Sequence, residues 1–241
     1  MRAAEREPFV AGERGAALLV AIAVTALVAS LAALLVLSIT FETLAAFNFR
    51  GGIETLLAAD AGIERALPDL AASPDWTAVL NGSAESSFID GVPGTRTLAG
   101  GRVLDLGAVV NLANCGHAAP CTEAEMNATT ALRPWGPNNP RWRLYMHGPL
   151  ANLAPGLPVE SPCYVVVLVA DDPEENDNDP MRDAVAGQSA GAGVLLLRSE
   201  AFGPGGAHSV VEASVAKTTG PAGAFPVVRL LGWHELREPG S

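Results

Sequence analysis

The sequence predicts an α+β protein in which one long N-terminal helix packs against an antiparallel β-sheet head with long loops. Two observations lead to this prediction. Residues 16–41 form a run of 26 residues without a charged side chain, whereas the chain after Pro68 consists of short apolar runs separated by Pro and Gly. A long uncharged run is typical of a buried or membrane helix, and short runs between turn residues are typical of strands.

The uncharged run is long enough to cross a membrane. At about 1.5 Å per residue it extends about 39 Å, and the hydrocarbon core of a bilayer is about 30 Å thick. Secretory leaders have a shorter core, of about 7 to 15 apolar residues. Arg2, Arg6 and Arg14 precede the run, and Arg50 is the first basic residue after it. The positive-inside rule therefore predicts a single pass, with a cytoplasmic N-terminus and a head outside the cytoplasm.

The helix is expected to continue to Leu67. Pro68 should end it there, because a proline disfavours helical geometry in the residue before it. Gly51 and Gly52 should weaken the helix, since each glycine costs about 0.8 to 1 kcal/mol relative to alanine. We expect a bend or local melting at this pair.

The outer half of the helix is predicted to be amphipathic. Asp60 and Glu64 share its apolar side and repel each other mildly. They are expected either to find partners within the head or across an interface, or to lie at a solvated margin. The apolar residues on that side, which should face the head, are Ile53, Leu56, Leu57, Ile63 and Leu67.

Six apolar runs in the head read as strands, and the turn-rich segment 202–206 between two of them predicts an antiparallel hairpin. Val211 to Val215 alternate in polarity, as in a strand that is buried on one side. The six runs are residues 102–106, 142–146, 164–169, 194–197, 210–215 and 225–231.

Residues 15–20, Gly-Ala-Ala-Leu-Leu-Val, resemble the processing site of type IV prepilins. In that family a prepilin peptidase cuts after the glycine on the cytoplasmic side and leaves the apolar helix on the mature protein. The resemblance implies a leader of residues 1–15, a cut after Gly15, and Ala16 as the first mature residue, open to methylation. A cut after Gly12 would instead send Glu13 and Arg14 into lipid, at a high cost in free energy.

The match departs from the family at two places. Members usually carry a bulky apolar residue directly after the cut and, in major pilins, a glutamate at the fifth mature position. Here these places hold Ala16 and Val20. In that family the glutamate is thought to pair with a neighbouring subunit's terminal amine. Its replacement points away from a major pilin and towards the PilX-type or K-type minor pilins, which lack it.

Residues 58–67, AADAGIERAL, resemble a run that is typical of PilX-like pilus assembly proteins. The two resemblances imply a pilin-like fold with an assembly helix of residues 16–67 and a periplasmic head of residues 68–241. They imply a non-enzymatic minor subunit of a type IV pilus or related secretion filament in the bacterial inner membrane, acting in assembly, in initiation or at the tip. The implied partners are prepilin peptidase, other minor and major pilins along the helix, and inner-membrane lipid. The alternative is a single-pass anchored periplasmic domain that binds calcium or another ligand and never enters a filament.

An acidic segment in the head is a candidate calcium site. Between residues 171 and 183 the sequence has seven carboxylates and one basic residue, Arg182. Calcium binds six to eight oxygen ligands, and alternating Asp and Asn supply such oxygens, although the spacing does not fit an EF-hand. A solvated or self-repelling acidic loop is the other interpretation. The candidate ligands are Asp171, Asp172, Glu174, Asp177, Asp179 and Asp183.

The three cysteines fall in the part of the chain predicted to lie outside the cytoplasm, where thiols oxidise. Cys115 and Cys121 are spaced for a small disulfide loop, and Cys163 opens an apolar run where a buried free thiol is expected. A zinc site would require His117 and His147 to converge on these sulfurs, which the scattered spacing does not favour.

Other functions are disfavoured. The net charge is −11, so no nucleic-acid partner is expected, because phosphate binding requires a basic face. Residues 187–191 match G-x-S-x-G, but the hydrolase elbow needs a strand before Ser189 and a helix after it, and here the strand-like run follows. His208 and His234 are the available bases. We expect no enzymatic activity.

Overall fold

The structure, a computed structural model, describes residues 13–153, 160–184, 191–218 and 227–236. It confirms the predicted α+β class: a long N-terminal helix, a five-stranded antiparallel sheet and a small two-stranded sheet. The chain divides into two compact units, of which the first ends at Phe49 and the second begins at Arg50. The second unit is called the head below, so from here on the head includes the part of the long helix that begins at Arg50 as well as residues 68–241.

Helix α1 spans Glu13–Ala72. It therefore continues past Leu67, where the sequence predicted its end, and includes Pro68. A proline inside a helix removes one hydrogen bond and costs about 3 kcal/mol. Burial offsets this cost, because Ala66 and Leu70 on either side of Pro68 are fully buried in the core. Gly51 and Gly52 are also helical, so the local melting expected there is not observed.

Five strands form the main sheet in the order β3-β4-β5-β6-β7, and every neighbouring pair is antiparallel. The predicted strands are confirmed, and most run longer than their apolar cores. The predicted hairpin joins β5 and β6 through a 3-10 turn at Pro204–Gly206. The strands are β3 (Arg143–Pro149), β4 (Tyr164–Asp171), β5 (Val194–Phe202), β6 (His208–Thr218) and β7 (Val227–Leu236).

The remaining elements are short. The predicted strand at 102–106 contributes to a two-stranded sheet, but Leu106 already begins a helix. These elements are α2 (Trp76–Leu80), β1 (Thr95–Thr97), β2 (Val103–Asp105), α3 (Leu106–Cys115), α4 (Glu123–Met126) and α5 (Leu150–Leu153).

Strand β4 lies at the centre of the head and is buried along its whole length. Its alternate side chains enter two different apolar clusters. Val165 and Val167 pack with the head part of α1, whereas Val166 and Leu168 pack with α3 and Trp142. Around β4 the sheet is therefore covered on both faces, whereas β7 is mostly exposed, and the sequence predicted only the face that carries the long helix.

Both small and large residues of α1 form its contact with the sheet. Ile63 and Leu70 are at most 1% exposed, and Leu56 and Leu67 pack against the same core, so the prediction is confirmed for Leu56, Ile63 and Leu67. Ala58, Ala59 and Ala66 are fully buried, whereas Ile53 is 45% exposed and Leu57 is 63% exposed. The prediction that these two large residues face the head was therefore wrong. The helical wheel ranks positions by hydrophobicity alone, and it does not show which of the apolar positions the sheet covers.

Gly62 is the point of closest approach. A Cβ atom at this position would collide with Ser199 Oγ on β5 and would lie 2.8 Å from Val165 Cγ1 on β4. Both neighbours belong to the buried centre of the sheet, so neither has room to yield. This contact accounts for the glycine at position 62.

We expect Gly62→Ala to destabilise the head by roughly 1 to 3 kcal/mol, the range for overpacking a filled core. Gly52→Ala is the matched control, because it adds the same methyl group to the same helix at a site with nothing within 4 Å. The control should stabilise the protein by up to about 1 kcal/mol through helix propensity. Thermal unfolding of the full chain in detergent micelles, followed by tryptophan fluorescence, measures both. Equal effects of the two substitutions would contradict the close contact at Gly62.

Candidate functional site

The apolar part of α1 is the first functional feature. From Gly15 to Arg50 every residue is exposed, and within this stretch the large apolar side chains are 52–73% exposed. The helix is long and apolar enough to span a membrane. Exposed apolar area on this scale marks an interaction surface, because water solvates it poorly. The structure places Gly15 and Ala16, the predicted processing site, at the exposed start of this helix.

The second feature is a cluster of three carboxylates at one end of the main sheet. Asp171 is the last residue of β4, Glu175 lies in the turn that follows, and Asp183 lies eight residues further along the chain. One carboxylate oxygen from each residue lies within 4.8 Å of the other two. We call these three residues the carboxylate cluster.

Backbone amides hold two members of the cluster in place. The Gly193 N–H donates to Asp183 Oδ1 at 2.7 Å, and the Ala184 N–H donates to Glu175 Oε1. Gly191 lies directly against the turn: a Cβ there would be 2.9 Å from the Glu175 backbone nitrogen, and its φ of +89° favours glycine. The chain leading into β5 is thus fitted closely around Glu175.

The cluster is buried, and its charges are poorly compensated. Asp171 is 3% exposed and Glu175 is 1% exposed. Asp171 Oδ1 and Glu175 Oε2 are buried and have no hydrogen-bond partner among the described residues. Leaving such a group unpaired costs about 1 to 3 kcal/mol, and more when the group is charged. Buried carboxyl groups in this arrangement are stabilised either by taking up protons or by a nearby cation.

Burial also shifts the acidity of these groups. It raises the pKa of Asp171 to about 9, with a further contribution from the neighbouring Glu175 carboxylate. Burial raises the pKa of Glu175 to about 7, against the opposing hydrogen bond from Ala184. The pKa of Asp183 is raised by burial as well, although the Gly193 amide and the charge of Lys217 oppose this shift. All three shifts reflect the poor solvation of negative charge at this site.

The structure brings together two of the six predicted calcium ligands, Asp171 and Asp183. Glu174, Asp177 and Asp179 are exposed, and Asp172 is half-buried outside the cluster. Asp172, Asp177 and Asp179 each accept a hydrogen bond from the backbone two residues further on, as is common in turns. Sequence reasoning missed Glu175. The other carboxylates of the acidic segment carry the same charge and lie close to it in sequence, so only its burial distinguishes Glu175 from them.

The cysteines form the predicted disulfide: Cys115, the last residue of α3, is bonded to Cys121. Cys163 is a free thiol that is 1% exposed, and burial raises its pKa. His117 and Glu125 lie close to the Cys115 sulfur, an arrangement with metal-ligand spacing. The disulfide removes the thiolate that such a metal site requires.

A groove of about 880 Å³ runs along the head beside β3 and α3. Arg141 on its wall donates to Glu123 Oε1 at 2.7 Å and to Asn127 Oδ1 at 2.6 Å, while its Nη1 has no partner among the described residues. Trp142, Met181 and His147 also line the groove. Burial lowers the pKa of His147, so this histidine is neutral at pH 7. Apolar walls with a few polar groups are typical of ligand sites.

The G-x-S-x-G match at 187–191 lies mostly outside the described residues, including its serine, Ser189. The two histidines considered as its bases contact carboxylates. His208 Nε2 lies 3.0 Å from Glu200, and His234 Nε2 lies 3.6 Å from Glu212.

No protein-family model matches the chain, and no curated protein or solved structure matches it significantly.

We expect thiol titration to reveal the state of the three cysteines. The folded protein should react slowly or not at all with an aromatic disulfide reagent, because Cys163 is buried. In denaturant without reductant, one thiol per chain should react, and after reduction three should react. Replacing both Cys115 and Cys121 by serine should cost about 2 kcal/mol of stability, the entropic value for so short a loop. Three reactive thiols in denaturant without reductant would contradict the disulfide.

Proposed function

We propose that this protein is a membrane-inserted, pilin-like minor subunit of a type IV pilus or related secretion filament. One observation supports the proposal above the others. A single helix, α1, carries an exposed uncharged surface over residues 16–41 and further along the chain contributes buried residues to the core of the head. A cleavable secretory leader has no reason to be part of the core of the domain it delivers.

Prepilin peptidase is the proposed processing enzyme, and the cut falls after Gly15. This cut removes Arg14 and Glu13 and leaves a mature chain that begins with the uncharged run at Ala16. The mature helix then begins in the membrane without a charged side chain at its N-terminus. After processing, the same surface packs against the helices of other minor and major pilins, which replace the lipid around it.

The Ala-rich composition of the helix suits this exchange of neighbours. Ala17 and Ala21, and Ala29 and Ala33, repeat small residues at intervals of four positions. Such repeats let helices approach closely in a membrane. Because Val20 replaces the glutamate of major pilins, the proposed place of the subunit is the start or the tip of the filament, not its shaft.

The head contributes a stable surface and no reaction in this proposal. Asp60, on the same helix, accepts a hydrogen bond from Trp233 Nε1 at 2.9 Å, so the partner expected for this acid lies within the head. Glu64 is exposed. It is available to a neighbouring subunit, together with the exposed Ile53 and Leu57.

A second candidate function is a membrane-anchored periplasmic domain that binds a ligand and never enters a filament. The groove beside β3 favours it, because its buried, partly unpaired Arg141 faces a space large enough for a small molecule. The processing of the N-terminus separates the two candidates, because a simple anchor keeps Met1.

We expect co-expression with a prepilin peptidase to give a mature chain that begins at Ala16 in intact-mass analysis. Gly15→Ala should block this cut, since the enzyme requires the glycine before the apolar run. Gly12→Ala is the matched control and should be processed normally, because it makes the same change three residues away.

Two results would count against the proposal. The first is a mature chain that has lost residues 16–41, because the stem would then be a discarded leader. The second is an uncut chain that keeps Met1 in the presence of active peptidase, which would favour the anchored ligand-binding domain. If processing is as expected, the mature protein should also appear in filaments sheared from its host, and the Gly15→Ala protein should stay in the inner membrane.

A further inference from the structure

The carboxylate cluster poses a chemical problem that the filament function does not address. Asp171 and Glu175 are more than nine-tenths buried, and Asp171 Oδ1 and Glu175 Oε2 lack a hydrogen-bond partner among the described residues. Negative charges in such a place repel one another and have lost most of their water. A compensating positive charge is required unless the carboxyl groups take up protons.

The described side chains do not supply that charge. Among the residues that the structure describes, no lysine, arginine or histidine forms a salt bridge with Asp171, Glu175 or Asp183. Lys217 is near enough to affect the pKa of Asp183, but its Nζ donates to the backbone oxygens of Ser73 and Pro74 at 3.0 and 2.8 Å. The ammonium group is therefore held by the end of α1 and the loop that follows it.

We propose that Asp171, Glu175 and Asp183 bind a calcium ion. Two oxygens on one calcium ion, each 2.3 to 2.6 Å from it, are at most about 5 Å apart. The three carboxylate oxygens of the cluster lie within 4.8 Å of one another and meet this limit. The cation would satisfy both Asp171 Oδ1 and Glu175 Oε2.

The donor set favours calcium over other divalent ions. All three groups are carboxylates, which are hard oxygen ligands, whereas zinc and copper prefer nitrogen or sulfur. Magnesium requires shorter bonds in near-ideal octahedral geometry and keeps several of its waters. A site formed by a strand end, a turn and a loop suits the flexible coordination of calcium, with water and backbone oxygens completing the shell.

The ion would join three separate pieces of the head. Asp171 ends β4, Glu175 belongs to the acidic turn, and Asp183 is bonded to the Gly193 amide just before β5. The Asp183 carbonyl also accepts a hydrogen bond from Thr77 in α2. Calcium would therefore fix the path of the acidic segment across the surface of the head. This inference is independent of filament assembly, because it concerns the head alone.

The test is calorimetric titration of calcium into the chelator-treated full chain in detergent micelles. We expect one calcium per chain, with a dissociation constant of roughly 10⁻⁵ to 10⁻³ M, the range of moderate oxygen sites. Glu175→Gln should weaken binding by at least about tenfold, because affinity depends on ligand charge. Asp177→Asn is the matched control. It removes one charge from the same acidic run, but at an exposed position outside the cluster, and should change the affinity by no more than about twofold.

Thermal unfolding provides a second measurement. Calcium should raise the midpoint of the wild-type protein and of Asp177→Asn, but not that of Glu175→Gln. Without calcium, Glu175→Gln should be at least as stable as the wild type, because it removes repulsion; a merely structural glutamate would give a less stable variant. If Glu175→Gln does not fold, Asp171→Asn takes its place in both measurements.

Three results would overturn the proposal. The first is no heat and no midpoint shift at about 5 mM calcium, which is above the weakest expected dissociation constant. The second is an equal loss of affinity in Glu175→Gln and Asp177→Asn, and the third is magnesium binding at least as tightly as calcium. The second result would show that the acidic run attracts cations diffusely, without a built site.

Discussion

The close contact of α1 with the sheet at Gly62 is the constraint on which the rest of the head depends. The absence of a side chain there lets the helix lie directly on Val165 and Ser199, and the alanines around it extend the contact. Because the helix lies so close to the sheet, it excludes solvent from this face around β4, which is buried along its whole length. A larger residue at this point would separate the two layers and open the core.

The same helix has to satisfy two environments. Up to Phe49 the helix exposes Leu, Val and Ile in every direction, whereas in the head one side of it is buried against the sheet, with alanines, Ile63 and Leu70 at the contact. A helix surrounded by lipid or other helices is stabilised by large apolar side chains on all sides. A helix packed on a sheet is stabilised by close contact between the two backbones on one side. The change in composition between Phe49 and Ala58 follows this change in environment.

Much of the fold could be predicted from the sequence, because the apolar runs of the strands are short and are separated by turn residues. The end of α1 could not be predicted, since the local effect of Pro68 is outweighed by the burial of Leu70, which depends on the tertiary fold. Helix α3 was missed for a similar reason. Its ten residues follow β2 without a break, and its start depends on the Asp105 side chain, which accepts hydrogen bonds from the Gly107 and Ala108 amides.

The acidic segment shows the same limit at the level of a site. Its composition predicted a place for a cation, but composition does not distinguish Glu175 from Glu174. Burial distinguishes them, and burial is decided by how the turn after β4 fits against Gly191. The disulfide, by contrast, was predicted from the short spacing of its two cysteines, because a loop that joins cysteines six positions apart can close without information about the tertiary fold.

The account depends most on residues 16–41 remaining in the mature protein, surrounded by lipid until other helices replace it. The most direct measurement is the accessibility of a spin label at Ser30→Cys in the mature protein in bilayer nanodiscs, with an exposed head position, Ser87→Cys, as reference. The account predicts a label at position 30 that is open to oxygen, which dissolves in lipid, and protected from a water-soluble nickel chelate. Nickel accessibility at position 30 equal to that at position 87 would contradict it.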